Sequence, residues 1–474
     1  MTENNVTFKR AELTQALPDW ELILDACAGE RAVKDRGETY LPKPNPDDKS
    51  AANAKRYKQY LSRAVYYNAT GRTLRGLVGA AFRKIPSLTL PPALSYMAAD
   101  VDGSGVSIYQ QSQSALTAAL QIGRHALFVD YPAIDGQLSL AQQRAANLKA
   151  SIISIPAQRV INWRVESVGG MQRLTLVTIE ENIETVTADG FGSDAVKQYR
   201  VLRLIDGIYT VQIWRNIDDN YVLTDERRPL DGYGNAWELI PLTFIGSENN
   251  DSNVDPAPML DLARLNIAHY RNSADYEDSV FFVGQAQAWI SGLTEDWRDH
   301  IEKSGMYVGS RAPILLPQNG AFGFAQAQPN TLVKEAMDAK EQQMISIGAR
   351  LIQPGQPART ATEVDADTDV QHSILSMCVS NVSDAYTLAL QWAARYMGVA
   401  IDGIQYAINQ EYTRQTFDPQ ALVALVQAWQ AGIIPRSDLN GQLRSMGIID
   451  AEKTDDTIRG ELESDTTGLG LDDV

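Results

Sequence analysis

The chain has 474 residues, too many for one ordinary core, so length alone implies two or three packed regions. A formal charge of −17 opposes nonspecific adhesion to phosphate, which calls on basic patches, and any contact with DNA would be loose or repulsive. Cys27 and Cys378 lie too far apart to form a disulfide framework and read as buried thiols in a reducing cytoplasm.

The first residues, MTENNVTFKRAELTQALPDW, carry charges of both signs without a basic start and apolar run, so export is not expected. No apolar run approaches the roughly 18 residues needed to cross a bilayer, and a soluble protein is expected. Residues 55–84 have helical spacing through Tyr57, Leu61, Val65, Leu74, Leu77, Val78 and Phe82, with a break expected near Gly71. Three prolines between 85 and 92 end this unit. A second helix follows over 107–123, then a short strand, HALFVDY.

From 152 to 245 the pattern changes to alternation. Segments such as RLTLVTIEENIETVTA, QYRVLRLIDGIYTVQIWR and NYVLTDERRPL are punctuated by Gly169-Gly170, Asp206-Gly207 and Asp218-Asp219-Asn220, which predicts antiparallel hairpins. The polar run 247–258 reads as a linker. Its DSNVD faintly resembles half of a calcium loop, but Pro256 replaces the needed glycine and no Glu stands at position 12.

Residues 258–284 predict one helix about 40 Å long, polar on nearly every side, with a thin seam of Leu260, Ala263, Ile267, Tyr270 and Ala274. Such a helix is not expected to bury a stripe in its own subunit, so packing against copies of itself would hold it. Local pairs of Asp261 with Arg264 and Arg271 with Asp275 would add little. Next come a strand, a short helix and one or two strands (286–327). A helix over 330–351 follows, using Leu332, Ala336, Ala339, Met344, Ile347 and Leu351.

The loop 353–360 holds two prolines and a glycine. Beyond it, 362–398 predicts a very long helix with a stripe of Leu375, Cys378, Val382, Tyr386, Ala389 and Ala393. Near the end, Asp418 caps a helix with Pro419 at its first position and Gly432 as its stop, and Ser437 or Asp438 caps another ending at Gly447. From Asp450 onward nine acidic residues face two basic ones, which predicts a mobile, solvated tail.

Chemistry-bearing motifs are missing from the sequence: there is no GxxxxGK[ST] loop, GxSxG elbow or HExxH pair. His125, His269, His300 and His372 are scattered without metal-ligand spacing and read as packed or surface residues. Neither a metal nor another cofactor is expected. The carboxylates are numerous, but spacing alone establishes no pair suited to glycoside hydrolysis. The helix pair 419–446 offers mainly Arg436 and Arg444 as phosphate contacts, against Asp438 and the acidic tail, so sequence-specific DNA binding is disfavoured.

The order of elements resembles tailed-phage portal proteins: hairpins, a polar helix ending in FFVGQ, a small αβ insertion, a helix ending in IGARLI, a Pro/Gly loop and a long helix. The strings YYNATGRTLRGLVGAAFRKIP, GRHALFVDYP, NIAHYRNSADYE and ARTATEVDADTD look like the portal-like DUF4055 family, over roughly 55–398. The resemblance implies a mixed α+β portal fold with a hairpin-rich wing, two stem helices flanking a small αβ clip, a tunnel loop, a long helix and a helical crown. Its divisions would be an N-terminal helical part of the wing (1–85), the wing (86–257), a stem helix (258–284), the clip (285–327), a second stem helix (328–351), the tunnel loop (352–361), a long wing helix (362–398), and crown with acidic tail (399–474).

The same resemblance implies a non-enzymatic, dodecameric ring at a capsid vertex of the virion, assembled in host cytoplasm. The ring would pass double-stranded DNA without sequence specificity and dock terminase, a head-to-tail adaptor and capsid protein, with no membrane involved. Gln353, Pro354, Gln356, Arg359 and Thr360 would line the channel, and Arg264, Tyr270, Arg271, Asp275 and Tyr276 the subunit interface. Trp289, Trp297, Arg298 and Tyr307 would serve in clip docking. Trp289, Trp297 and Tyr307 exceed the aromatic needs of so short an insertion, so at least one is expected to pack across a subunit boundary. The alternative is a soluble cytoplasmic hydrolase with an acidic cleft.

Overall fold

The computed structural model describes residues 6–132, 148–187, 189–284, 287–304, 316–325, 331–351, 373–410, 427, 429, 433–445 and 453–468. It divides into two bodies, Met1–Gln410 and Glu411–Val474. The fold is mixed: α-helices combine with several antiparallel sheets.

The first body opens with helices α1 (Ala11–Ala28), α2 (Glu30–Asp35), α3 (Ala51–Arg63) and α4 (Ala69–Ala81). The helix break expected at Gly71 falls earlier, at 64–68. There the Asn68 side chain accepts from the Gly71 N–H (2.8 Å) and starts α4 as its N-cap. Gly71 has a different task. A Cβ at this position would sit 2.5 Å from the Cys27 carbonyl oxygen, so only glycine lets α4 pass the end of α1.

Helix α5 (Ile108–Ile122) starts on a capping box between Ser107 and Gln110 and stops at Gly123, whose φ of 71° is the left-handed turn that glycine favours. The chain then enters strand β2 (Arg124–Asp130), as the sequence predicted. After β1 (Ser87–Thr89), the small sheet β3-β2-β9 combines β2 with β3 (Ser151–Pro156) and β9 (Leu242–Gly246), all antiparallel. Arg124 through Val129 are all buried in β2, because α5 and helix α9 (Ile374–Tyr396) pack on this sheet. On α9 the expected stripe of Leu375, Cys378, Val382, Tyr386, Ala389 and Ala393 is wholly buried. Each large side chain in it contributes about 1.5–3 kcal/mol through burial.

Strands β4 (Val160–Val168), β5 (Met171–Val186), β6 (Ser193–Ile205), β7 (Ile208–Ile217) and β8 (Asn220–Arg227) form a five-stranded antiparallel meander in chain order. Its turns fall where the sequence placed them. Gly169 and Gly170, Asp206 and Gly207, and Asp218 and Asp219 all have positive φ, which two-residue hairpin turns require for their twist to match the strands.

The run 247–258 is more than a linker. The Asp255 carboxylate accepts from the Glu248 and Asn249 N–H groups (2.8 and 3.2 Å), and buried Arg124 donates to the Ser252 carbonyl (3.1 Å) and to that of Asn253. A buried guanidinium needs acceptors, and the exposed carbonyls of this loop supply them.

In the second body, helices α10 (Arg436–Ser445) and α11 (Asp455–Gly468) are described. Ser437 and Asp438 lie inside α10 and do not cap it: the Asp438 and Leu439 N–H groups bond back to the Pro435 carbonyl, which sets the start one turn earlier. The tail expected to be mobile contains α11. Thr454 accepts from the Thr457 N–H (3.2 Å), and Asp455 and Asp456 occupy the first turn, where the helix dipole favours negative charge. Asp418, Pro419, Gly432 and Gly447 lie outside the described residues.

Candidate functional site: a helix pair and the hairpin unit it carries

Helix α6 (Leu260–Val283) departs from expectation most sharply. It does bury a face in its own chain: Leu262, Ala263, Asn266, Ile267, His269, Tyr270, Ser273 and Ala274 are all buried. The reason lies in the break between α3 and α4. Open backbone at 64–70 leaves N–H and C=O groups that must find partners when buried. Asn266 accepts from the Thr70 N–H (3.1 Å) and hydroxyl (2.9 Å) and donates to the Tyr67 carbonyl (2.8 Å). Ser273 accepts from the Val65 N–H (3.2 Å) and donates to the Val65 carbonyl (2.7 Å). The polar residues that made α6 look unfit for a core thus satisfy a neighbouring stretch of backbone.

The outer half of α6 is tied to the N-terminal helices. Asp278 receives Arg56 (2.6 Å) and Arg63 (2.8 Å), while the Arg56 and Arg63 guanidinium groups lie 4.6 and 3.7 Å from the ring centres of Phe282 and Phe281. The Tyr60 hydroxyl donates to Asp275 (2.5 Å). Arg271 donates to the Tyr40 carbonyl (2.8 Å), and Arg264 pairs with Asp19 (2.8 Å). The expected pairs within the helix therefore give way to partners from other elements. Tyr270 is fully buried within its own chain, edge-on to Tyr66 (5.9 Å). Tyr276 is half-buried, and Val280, Phe281 and Phe282 at the outer end are exposed.

Strand β10 (Gln287–Ser291) pairs with β11 (Ala321–Ala325), and helix α7 (Glu295–Ser304) lies between them in the chain. Trp289 stands opposite Gly323, where a Cβ would come 2.8 Å from the indole, so the ring lies over a residue that must lack a side chain. Trp289 is 44% and Phe324 53% exposed. Trp297 is half-buried with His300 edge-on at 6.0 Å, and Arg298 is exposed. Among the described residues of 287–325, none is buried. Helix α8 (Leu332–Arg350) packs along α6, with Met344 buried and Glu341 3.4 Å from His269. Burial lowers the His269 pKa, which Glu341 partly opposes. Of the stripe expected on α8, Leu332 is exposed. Tyr307 and the loop residues Gln353, Pro354, Gln356, Arg359 and Thr360 lie outside the described residues, as does His372.

Residues 258–397 match the family model "Domain of unknown function (DUF4055)". Two of the four strings that carried the resemblance, NIAHYRNSADYE and ARTATEVDADTD, fall within this segment. No curated protein matches the chain. Among solved structures, a chain from the "Neck of empty GTA particle computed with C6 symmetry" aligns at TM-score 0.41 and 13% identity, covering 80% of this chain and 90% of that one. A chain from the "Neck of native GTA particle computed with C12 symmetry" gives 0.40 and 14%, covering 79% and 89%. One from the "Virion of native gene transfer agent (GTA) particle" gives 0.40 and 14%, covering 87% and 97%.

The segment that matches DUF4055 takes in α6, the hairpin unit, α8 and α9. The residues that anchor its first helix, Arg56, Arg63, Tyr66 and Thr70, lie outside the segment, and sequence reasoning missed them. A signal was there: Arg56 and Arg63 stand seven apart, two turns along one helical face, opposite an acidic helix. Among the described residues no group of three His, Cys, Asp or Glu side chains could hold a metal ion, and no described helix is long and apolar enough to cross a membrane. His125 is buried against the Ser154 hydroxyl (2.7 Å), and burial lowers its pKa to about 4. Burial pushes the Cys378 thiol up to about 12. Both are buried core residues.

Proposed function

We propose that this chain is a portal-type subunit: a non-enzymatic element of a dodecameric ring at a capsid vertex, through which double-stranded DNA passes. The observation that carries the reading is the hairpin unit. It sits in the segment that matches DUF4055, between two helices, exposes Trp289, Leu293 and Phe324, and buries none of its described residues. Apolar side chains gathered on so acidic a chain mark a protein contact surface.

In this reading α6 and α8 are stem helices, 285–327 is the clip that meets terminase and later a head-to-tail adaptor, and 352–361 is the tunnel loop. The meander with the N-terminal helices forms the wing, and 399–474 the crown. Arg264, Arg271, Asp275 and Tyr276 remain candidates for subunit contact, each already engaged or half-buried within its own chain. The test is mass in solution together with negative-stain images of the purified chain. Rings of about a dozen copies are expected, since cyclic symmetry closes a heterologous contact. A stable monomer that cleaves a sugar or ester would sink the proposal in favour of a hydrolase.

A further inference from the structure

The hairpin β5–β6 outgrows its sheet. Strand β4 pairs with β5 only between Met171 and Ile179, and β7 pairs with β6 only from Gln198 onward, so 182–186 and 193–197 pair with each other alone. An isolated two-stranded ribbon is marginal in water. Around its turn, the Thr187 N–H bonds to the Gly192 carbonyl (2.8 Å), the Gly192 N–H to the Thr187 hydroxyl (2.9 Å), and the Phe191 N–H to the Asp189 carboxylate (3.2 Å). This turn presents Phe191 at 97% exposure, flanked by Val186 at 67%.

The open face of the same sheet carries a recess of about 860 Å3, lined among others by Phe8, Leu176, Arg203, Trp214 and Tyr221. The recess is broadly open to solvent, a seat for a protruding side chain and not an enclosed cavity. Its carboxylates Glu12 and Glu166 face Arg10 (2.5 Å) and Arg164 (3.9 Å), while Arg203 is exposed and has no ion pair among the described residues. The ribbon is acidic, with exposed Glu184, Asp189 and Asp194. Leu176 in the recess and Val186 below the tip stand on one strand, about 33 Å apart at 3.3 Å per residue. While the ribbon keeps this extended pairing, its tip stands too far from its own recess to fill it.

We propose that the β5–β6 tip, led by Phe191, docks into the sheet recess of a second copy of this chain. The contact is head-to-tail, so repeating it closes a ring or grows a filament. It rests on the ring reading above and names one contact within it. Burying the exposed Phe191 ring would remove apolar surface from water, and the cation surplus of the recess matches the acidic ribbon.

The experiment compares wild type, Phe191→Ser and the double variant Phe8→Cys/Phe191→Cys by native mass measurement and by diamide oxidation followed by denaturing electrophoresis. Phe191 is exposed, so its loss spares folding, and the native thiols Cys27 and Cys378 are buried. Phe191→Ser should raise the concentration needed for assembly about ten- to a hundredfold. The double variant should give a ladder of covalent oligomers, and a mixture of the two single cysteine variants should give covalent dimers. Rings that form normally in Phe191→Ser, with no cross-linking, overturn the docking contact while the ring reading stands; a monomeric wild type overturns both.

Discussion

At the scale of single residues, His125 shows how burial fixes chemistry. It sits in β2 of the small sheet with the Ser154 hydroxyl against its Nε2, and its pKa falls to about 4 because charging it there would require desolvating an imidazolium. A histidine with a lowered folded-state pKa binds fewer protons in the folded chain than in the unfolded one. Its stabilising effect is therefore complete above the unfolded value near 6.5 and is lost as pH falls toward 4. We expect the urea midpoint to drop between pH 7 and 4.5, and His125→Gln to flatten part of that drop. An unchanged pH profile in the variant would show that other groups govern acid stability.

At the scale of elements, α6 is held by two unlike grips. The inner grip is buried: Asn266 satisfies Thr70 and Tyr67, and removing it would leave polar groups unpaired at about 1–3 kcal/mol each. The outer grip is partly exposed, with Arg56 35% and Arg63 21% accessible around Asp278 at 14%, and such ion pairs contribute about 1 kcal/mol or less. The two should separate experimentally. Asn266→Ala should lower global stability by roughly 2–4 kcal/mol in denaturant unfolding. Arg56→Ala with Arg63→Ala should change global stability little, yet speed amide exchange at 275–283, because only the outer turns are released. Equal effects of the two variants on unfolding would show that α6 is held as one unit.

At the scale of the whole molecule, charge dominates. In the proposed ring, twelve chains at −17 would carry about −200 charges, a net charge that would repel phosphate and favour sliding of DNA. Against that background, Arg359 is a cation in the proposed tunnel loop, repeated once per subunit. We expect Arg359→Ala to leave ring assembly intact and to alter the length of DNA packaged or retained in particles. Normal packaging by the variant would remove Arg359 from the channel.

Local rules made much of this fold legible. The capping box at Ser107, the glycine stop at Gly123, the positive-φ turns of the meander and the apolar period of α9 each depend on residues within a few positions of one another, so the sequence contains their causes. The family resemblance was legible in the same way, from contiguous strings. The sequence misled where a side chain's partner lies far along the chain. The polar face of α6 read as a surface held by other copies of the chain because nothing nearby in sequence needs it, and only folding sets Asn266 and Ser273 beside the open backbone at 65–70. Asp278 likewise gained Arg56 and Arg63 from more than 200 residues away, and the recess under Phe8 exists only once the N-terminus lies against the meander. Periodicity reports which face of a helix is apolar. Whether a polar face meets water or unsatisfied backbone depends on what packs against it, and that only the tertiary structure decided.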